Sequence, residues 1–209
     1  MKITIVGTGY VGLITGTCFA NAGNNVTCLD IDPKKVETLN KGEAPFFEPG
    51  LSEMMTKSIN AGRLDFSDDS STAFTGSDII FICVGTPTGN DGKCDLSYVL
   101  GVADDISKVL DTFDTPPVVV VKSTVPVGTT HRVAERLHGE YFIANNPEFL
   151  REGNAIDDFR TPDRVVCGVE SEEAQAALEQ LYAPFTGDGH PLLFFDIHSS
   201  EMVKYASNA

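Results

Sequence analysis

The stretch Gly7-Thr8-Gly9-Tyr10-Val11-Gly12 decides the fold of this chain. It follows a short apolar run, Lys2–Val6, and opens a stretch with helical patterning. A GxGxxG pattern is a weak indicator alone, but between a strand and a helix it is typical of a dinucleotide-binding turn. The three glycines would permit a tight turn, close approach of a pyrophosphate to the backbone, and close packing of the helix on the strand.

The start of this helix is the predicted phosphate site. Tyr10 and Val11 stand where backbone N–H groups are unpaired and the helix dipole attracts anions. With Gly7, Gly9 and Gly12, they are the candidate residues for the pyrophosphate of a dinucleotide.

Asp30 follows a second predicted strand, Asn25–Leu29, and stands 18 residues after Gly12. A carboxylate there can accept hydrogen bonds from both adenosine ribose hydroxyls, and it would repel a 2′-phosphate. Lys34 or Lys35 could reach the ribose or a phosphate, and Lys35 is kept as the candidate. The sequence therefore predicts NAD, not NADP, as the cofactor.

Beyond this unit, β-branched runs alternate with helical stretches, which predicts an α/β fold with a doubly wound, mostly parallel, Rossmann-like sheet. Continuous apolar runs such as Ile79–Val84 suit parallel strands that are buried on both faces. The predicted strands are Lys2–Val6, Asn25–Leu29, Ile79–Val84, Val118–Lys122, Tyr141–Ala144, Arg164–Gly168 and Leu192–Phe195. The predicted helices are Val11–Ala22, Pro33–Asn40, Gly50–Ala61, Leu96–Asp111, Thr129–Leu137 and Glu172–Tyr182.

The last segment, Ser199–Asn208, reads as a helix still in progress, because no C-cap residue precedes Ala209. We expect residues 1–198 to form an NAD-binding domain and residues 199–209 to begin a connecting helix within a longer protein.

Composition excludes several functional classes. The 209 residues carry a net charge of −15, which disfavours nucleic acid and anionic membrane surfaces as partners. No stretch approaches the roughly 20 apolar residues that span a bilayer, and the apolar start is too short for a signal peptide. We therefore expect a cytoplasmic protein. The five cysteines are odd in number and lack CxxC spacing, which favours free thiols over disulfides or a metal site.

Three polar turns follow predicted strands at Val84–Pro87, Ser123–Pro126 and Asn145–Glu148. Ligands of open α/β sheets lie outside the carboxyl ends of the strands. A single threonine in such a turn is more often a cap, but three turns along one edge favour a ligand site. The candidates for a nicotinamide, a ribose or a water are Gly85, Thr86, Ser123 and Thr124.

Two pairs of polar residues have four-residue spacing. If Phe149–Gly153 is helical, Glu148 and Glu152 point to one side and could do acid–base work. Lys204 and Asn208 share one face of the last helix, where a lysine could stabilise an oxyanion. Spacing alone favours an exposed helix face for both pairs.

Taken together, these motifs resemble the N-terminal part of the UDP-glucose/GDP-mannose dehydrogenase family over essentially the whole chain. Two stretches, Lys122–Thr129 and Lys204–Ala209, look more like the UDP-glucose-oxidising members. The motifs that carry the resemblance are Gly7–Gly12, Asp30–Asp32, Glu48–Leu51, Val84–Pro87, Ser123–Gly128, Asn146–Gly153, Pro162–Arg164 and Glu201–Asn208.

The resemblance implies that a sugar C6 alcohol is oxidised to a carboxylate in two steps, with two NAD consumed. A cysteine captures the intermediate aldehyde as a thiohemiacetal, and water hydrolyses the thioester that follows. By position, Thr124 and Glu148 would flank the reacting carbon, Glu152 would lie near the nicotinamide, and Lys204 and Asn208 would stabilise oxyanions. The UDP-sugar site would be lined by Glu148, Phe149, Leu150, Arg151, Lys204 and Asn208.

One family feature is missing from the sequence. The nucleophilic cysteine of the family sits in a Cys-Phe-Pro-Lys-Asp segment well past residue 209, and no cysteine here has that context. We therefore expect this chain alone not to complete the oxidation. The resemblance also implies that most of the nucleotide half of the substrate binds another domain, and that the connecting helix builds a homodimer.

Three alternatives stay open at this point. GDP-mannose or a UDP-N-acetylhexosamine could be the substrate, or the chain could be a non-catalytic NAD-binding sensor or scaffold. A β-hydroxyacid dehydrogenase would share the glycine turn, but it would not explain Asn146–Gly153 or the Lys204–Asn208 helix.

Overall fold

A computed structural model describes residues 1–89, 91–187 and 189–208. Eight strands form one sheet in the order β3-β2-β1-β4-β5-β6-β7-β8, so the predicted doubly wound α/β architecture is confirmed. The strands are β1 (Lys2–Val6), β2 (Asn25–Leu29), β3 (Leu64–Ser67), β4 (Ile79–Ile82), β5 (Val118–Val121), β6 (Phe142–Asn145), β7 (Val165–Val169) and β8 (Leu192–Phe195).

Helices cover both faces of this sheet. They are α1 (Tyr10–Asn21), α2 (Pro33–Asn40), α3 (Leu51–Asn60), α4 (Ser70–Phe74), α5 (Ser97–Ser107), α6 (Thr129–Ala134), α7 (Ala155–Arg160), α8 (Glu172–Tyr182) and α9 (Ile197–Asn208), with a 3₁₀ turn at Leu110–Thr112.

The first six strands are parallel. The order of the strands reverses between β1 and β4, since β1 to β3 follow one another toward one edge of the sheet and β4 to β6 toward the other. A dinucleotide binds at such a switch point, with one half over each set of strands. β7 is antiparallel to β6 and pairs Asn145 with Gly168. Because Asn145 is the last residue of β6, the first residues of β7 extend past the carboxyl edge of the parallel strands.

The core lies on both faces of the central strands. Every residue of β4 and β5 is buried, as continuous apolar runs predict for parallel strands. α1 packs on one face, where its Gly16 lies so close to the sheet that an added Cβ would meet Cys28 Sγ at 2.6 Å. α5 packs on the other face through Val99, Ala103 and Ile106. The carboxyl edge of the sheet is thereby held between two rigid layers.

Several sequence predictions differ from the structure. The short elements β3, α4 and α7 were not predicted, because their few residues mix polar and apolar side chains without a clear period. Phe149–Gly153 is not helical, so the condition for placing Glu148 and Glu152 on one helix face fails. The last helix begins at Ile197, two residues before the prediction, and Ala209 lies outside the described residues.

The five cysteines are free, as predicted. Among the residues that the structure describes, no helix is long and apolar enough to cross a membrane. The same residues contain no group of three or more His, Cys, Asp and Glu side chains with the geometry to hold a metal ion.

Candidate functional site

The glycine turn between β1 and α1 is shaped for close approach. Gly7 has φ of +95°, and a Cβ there would lie 2.9 Å from the Cys83 carbonyl oxygen. A Cβ on Gly12 would lie 1.9 Å from the Gly7 oxygen. Around Gly9, in contrast, a Cβ would meet no atom within 4 Å. Gly7 and Gly12 therefore pack the turn, and Gly9 leaves free space at the N-terminus of α1.

Asp30 stands at the end of β2 beside this turn. Its Oδ2 accepts hydrogen bonds from the Thr8 N–H at 3.0 Å and from the Thr8 hydroxyl, and an ion pair from Lys35 Nζ at 2.7 Å. Partial burial alone would raise the Asp30 pKa, but the bonds from Lys35 and Thr8 outweigh it and hold the pKa below its ordinary value. The carboxylate is thus ionised at neutral pH, and of the two candidate lysines it is Lys35 that contacts it.

A cavity of about 540 Å³ opens beside Asp30 along the ends of β1, β2 and β4. Two of its lining side chains, Ile31 and Tyr98, are apolar or aromatic and exposed, Ile31 by 90%. Neither was predicted to be a binding residue. Hydrophobic patterning assigns an isoleucine directly after Asp30 to the core, because it cannot detect that the side chain is exposed in the fold.

The turns after β4 and β5 are tied together. The Thr86 hydroxyl donates to the Thr124 carbonyl oxygen at 2.8 Å, and the Ser123 hydroxyl donates to the Val84 carbonyl oxygen at 2.6 Å. Gly85 is exposed between them. The structure therefore brings the four predicted turn residues to one edge, where the two hydroxyls also fix the turns to each other.

Glu148 and Lys204 form a buried ion pair. Lys204 Nζ lies 2.8 Å from Glu148 Oε1, and their side chains are only 10% and 13% exposed. The other Glu148 oxygen accepts the Leu150 N–H at 2.6 Å. Two cations lie over the Phe149 ring, with the Arg164 guanidinium 4.6 Å and the Lys204 ammonium 5.6 Å from its centre. Two predicted catalytic residues are thus joined, although 56 residues separate them in sequence.

α9 reaches this edge because buried polar contacts dock it. The Ser200 hydroxyl donates to Asn145 Oδ1 at 2.7 Å. The Glu201 carboxylate accepts the N–H groups of Gly128 at 2.6 Å and Thr130 at 2.7 Å. These residues precede Lys204 by one turn on the same side of the helix. The sequence analysis did not single out Ser200 or Glu201 as site residues.

The remaining predicted substrate and catalytic residues are more exposed. Glu152 lies in the turn before α7, and Asn208 is exposed on the last described turn of α9. Arg151 pairs with Asp158 through its guanidinium and its backbone N–H. Arg151 is therefore held by α7, and it lines the same cavity as Glu148, Phe149 and Leu150.

A second cavity, of about 320 Å³, lies beneath the segment that follows β6. Lys122 lines it and is 4% exposed, and its ammonium donates to Asn146 Oδ1 at 2.9 Å. The Tyr182 hydroxyl donates to the same oxygen at 2.6 Å. Burial lowers the pKa of Lys122, although the nearby Glu148 charge opposes this effect.

Glu48 is a further buried carboxylate, which belongs to a motif of the sequence but was not predicted to be a site residue. It lies in the segment between α2 and α3 and is 5% exposed. Its oxygens accept hydrogen bonds from the Tyr10 hydroxyl at 2.6 Å, the Gly153 N–H at 2.9 Å and the Ala155 N–H at 2.7 Å. The Tyr10 side chain is therefore bonded to Glu48, and the residue contributes its backbone to the glycine turn.

The residues of this edge fit NAD. A tight turn frees space at a helix N-terminus, which suits a pyrophosphate, and an ionised carboxylate stands where the adenosine ribose lies in such folds. Among the described residues, no arginine lines the cavity beside Asp30, and Lys35, which does line it, is already paired with this carboxylate. The sheet and this site together define the class of protein, a cofactor-binding domain of the NAD-dependent dehydrogenase type.

The chain belongs to the UDP-glucose/GDP-mannose dehydrogenase family. The model of the NAD-binding domain of that family matches residues 1–186. Among curated relatives, the chain is 46% identical to a UDP-glucose 6-dehydrogenase of Rhizobium meliloti and 44% identical to one of Bacillus subtilis. All of this chain is covered, against 49% and 45% of those relatives. The chain spans about half the length of the curated relatives it matches.

Solved structures agree with this membership. A UDP-glucose dehydrogenase from Pyrobaculum islandicum is 39% identical and superposes with a TM-score of 0.93 over 99% of this chain and 49% of its own. A GDP-mannose dehydrogenase from Pseudomonas aeruginosa is 33% identical, with a TM-score of 0.94 over 100% of this chain and 49% of its own.

Proposed function

We propose that this chain is the NAD-binding half of an enzyme that oxidises the C6 alcohol of UDP-glucose to a carboxylate. The observation that carries the proposal is the buried Glu148–Lys204 pair beside Phe149, at the edge where the second half of the cofactor would lie. Identities of 44–46% to relatives named UDP-glucose 6-dehydrogenase favour UDP-glucose. A solved relative named for GDP-mannose is less similar, at 33%.

The chain's own residues would bind the cofactor along the carboxyl edge. Backbone N–H groups at Gly9 and the start of α1 hold the pyrophosphate, and Asp30 accepts the adenosine ribose hydroxyls. Ile31 and Tyr98 flank the adenine from the cavity beside Asp30. When bound, NAD supplies the hydride acceptor for the oxidation.

The substrate side would use the remaining residues. Lys204 and Asn208 stabilise negative charge on the sugar oxygen, and Glu148 with Thr124 holds the proton or the water that reacts. Glu152 faces the nicotinamide, and Phe149, Leu150 and Arg151 line the sugar nucleotide. Overall, one alcohol and one water become one carboxylate, with two hydrides passed to two NAD and three protons released.

The nucleophilic thiol of this chemistry would come from outside these 209 residues. Burial raises the pKa of Cys18, Cys83 and Cys167 to about 12 and that of Cys28 still further. Such thiols stay protonated at neutral pH and are poor nucleophiles. Cys94, the fifth cysteine, is less buried, but it lacks the Cys-Phe-Pro-Lys-Asp context of the family's nucleophile. We further propose that residues 1–198 are the cofactor domain and that α9 begins the helix that connects it to the substrate domain and to a second subunit.

A non-catalytic NAD-binding module is the alternative from a different class. A buried ion pair costs desolvation energy, and replacing one with apolar residues is often neutral or stabilising. A module that only bound NAD would not need Glu148 and Lys204 together in a dry site, so the pair favours catalysis.

The cofactor part is tested by calorimetry on this chain with NAD and NADP. We expect NAD to bind and NADP to bind at least tenfold more weakly, because Asp30 repels the added phosphate. Equal binding of the two, or preference for NADP, would contradict the role given to Asp30.

The catalytic part is tested by turnover of the polypeptide that carries this chain, with UDP-glucose, GDP-mannose and UDP-N-acetylmannosamine. We expect UDP-glucose to be used best, and Lys204→Ala to lower kcat about 10²- to 10³-fold. The matched control is Lys57→Ala, an exposed lysine on α3. Absence of turnover with all three substrates would favour the non-catalytic module.

A further inference from the structure

We propose that Glu48 is a positioning residue for the nicotinamide half of NAD. It would do this by fixing the segment 151–155, which contains Glu152, against the first turn of α1. The inference rests on the proposed function in one respect, which is the side of the sheet edge on which the nicotinamide lies.

The first argument is connectivity. One Glu48 oxygen accepts both the Tyr10 hydroxyl and the Gly153 N–H, and the other accepts the Ala155 N–H. Tyr10 is the first residue of α1, directly after the glycine that leaves space for the pyrophosphate. Gly153 and Ala155 lie one and three residues after Glu152 in the chain. A single carboxylate therefore joins the cofactor turn to the segment that follows β6.

The second argument is energetic. A carboxylate that is 5% exposed is stable only if hydrogen-bond donors replace the lost water. Burial raises the Glu48 pKa, but the donors at Tyr10, Gly153, Ala155 and Ile156 together hold it below its ordinary value. Charge-assisted hydrogen bonds are about twice as strong as neutral ones, so the contact is rigid. Neutral glutamine offers one acceptor oxygen and must leave at least one of these donors without a partner.

The third argument is position. A dinucleotide crosses the sheet at the switch point, so the half that does not lie over β1–β3 lies over β4–β6. Segment 151–155 follows β6 and approaches α1 there, since the Arg151 carbonyl oxygen lies 3.4 Å from the Tyr10 hydroxyl. Glu48 thus sets the gap between the pyrophosphate turn and the polar groups on the nicotinamide side.

The experiment compares two ligands on this chain. NAD and ADP-ribose share the adenosine and the pyrophosphate, but only NAD carries the nicotinamide. The readout is the ratio of their dissociation constants by calorimetry, for wild type, Glu48→Gln and Tyr10→Phe. Tyr10→Phe removes one donor only and serves if Glu48→Gln fails to fold. Glu53→Gln, an exposed residue on α3, is the charge-matched control.

We expect Glu48→Gln to weaken the binding of NAD about tenfold, the scale of one lost charge-assisted hydrogen bond. It should weaken the binding of ADP-ribose less than about twofold. Tyr10→Phe should lower the preference for NAD in the same direction, and Glu53→Gln should not change it. If Glu48→Gln weakened the binding of both ligands equally, or of neither, the positioning role would be overturned, but the proposed binding of NAD to this chain would stand. If wild type binds neither ligand, both this inference and the proposed function fail.

Discussion

Three buried carboxylates organise the site at the scale of single residues. Glu48 and Glu201 accept hydrogen bonds from backbone N–H groups that are distant in sequence. Glu148 accepts the nearby Leu150 N–H and pairs with the distant Lys204. Buried acidic side chains are rare unless they are paired. A glutamate in a sequence reads as a surface residue, so only the fold distinguishes these three from the exposed glutamates.

The glycine turn and Asp30 were predictable because the sequence signals that identify them lie close together in the chain. The side-chain partners of Asp30, Thr8 and Lys35, lie within the first 35 residues, and glycine spacing encodes backbone geometry directly. Ile31 was not predictable as a cavity residue, since an isoleucine after a strand normally belongs to the core. The pairing of Glu148 with Lys204 was not predictable from spacing, because the sheet topology alone brings them together.

Replacing Asp30 by alanine should weaken NAD binding by about 1–3 kcal/mol, the scale of a lost charged hydrogen bond. The substitution removes the acceptor for the ribose hydroxyls and leaves Lys35 without its partner. Calorimetry on this chain measures the change, with exposed Asp114→Ala as the control. An unchanged affinity for NAD would show that the ribose does not contact Asp30.

At the scale of elements, the segment after β6 shows where pattern and structure diverge. A helix at Phe149–Gly153 was the condition for placing Glu148 and Glu152 on one side, but the segment is not helical, and Glu148 accepts the N–H of Leu150 instead. The helix begins only at Ala155, whose N–H is bonded to Glu48. A carboxylate from another part of the chain therefore sets the start of α7. The apolar strands β4 and β5, in contrast, were predicted to within two residues because burial on both faces dominates their composition.

Glu201→Gln should loosen the docking of α9 and destabilise the chain by about 1.5–3 kcal/mol, the range for hydrogen bonds to charged groups. The carboxylate accepts two backbone N–H groups and the Thr130 hydroxyl, and an amide oxygen cannot replace all three bonds. Urea unfolding measures the loss. Glu140→Gln, on an exposed loop, should leave stability within about 0.5 kcal/mol. A similarly small effect at Glu201 would mean that α9 is held by other contacts.

At the scale of the whole molecule, the buried Glu48 carboxylate ties stability to pH. The pKa of Glu48 is lower in the folded chain than its ordinary value of about 4.3. Its contribution is therefore present above that value and is lost as the pH falls through the folded-state pKa. The difference in unfolding free energy between wild type and Glu48→Gln should be largest at neutral pH and shrink below about pH 4.

Urea titrations at a series of pH values between 7 and 3 measure this difference. Exposed Glu53→Gln should differ little from wild type throughout. A difference for Glu48→Gln that stays constant with pH would mean that the carboxylate is not preferentially ionised in the fold.

The same contacts bear on the order in which the chain folds. Thr8 and Asp30 are 22 residues apart, whereas Gly153 and Glu48 are 105 apart and Gly128 and Glu201 are 73 apart. Closing longer loops costs more chain entropy, and non-local contacts slow folding. In pulse-labelled hydrogen exchange during refolding, amides of α1 and β2 should become protected before those of Gly153, Ala155 and Thr130. Simultaneous protection would contradict this order. If the predicted order holds, β1, α1 and β2 form an early folding unit, and the contacts of Glu48 and Glu201 form last.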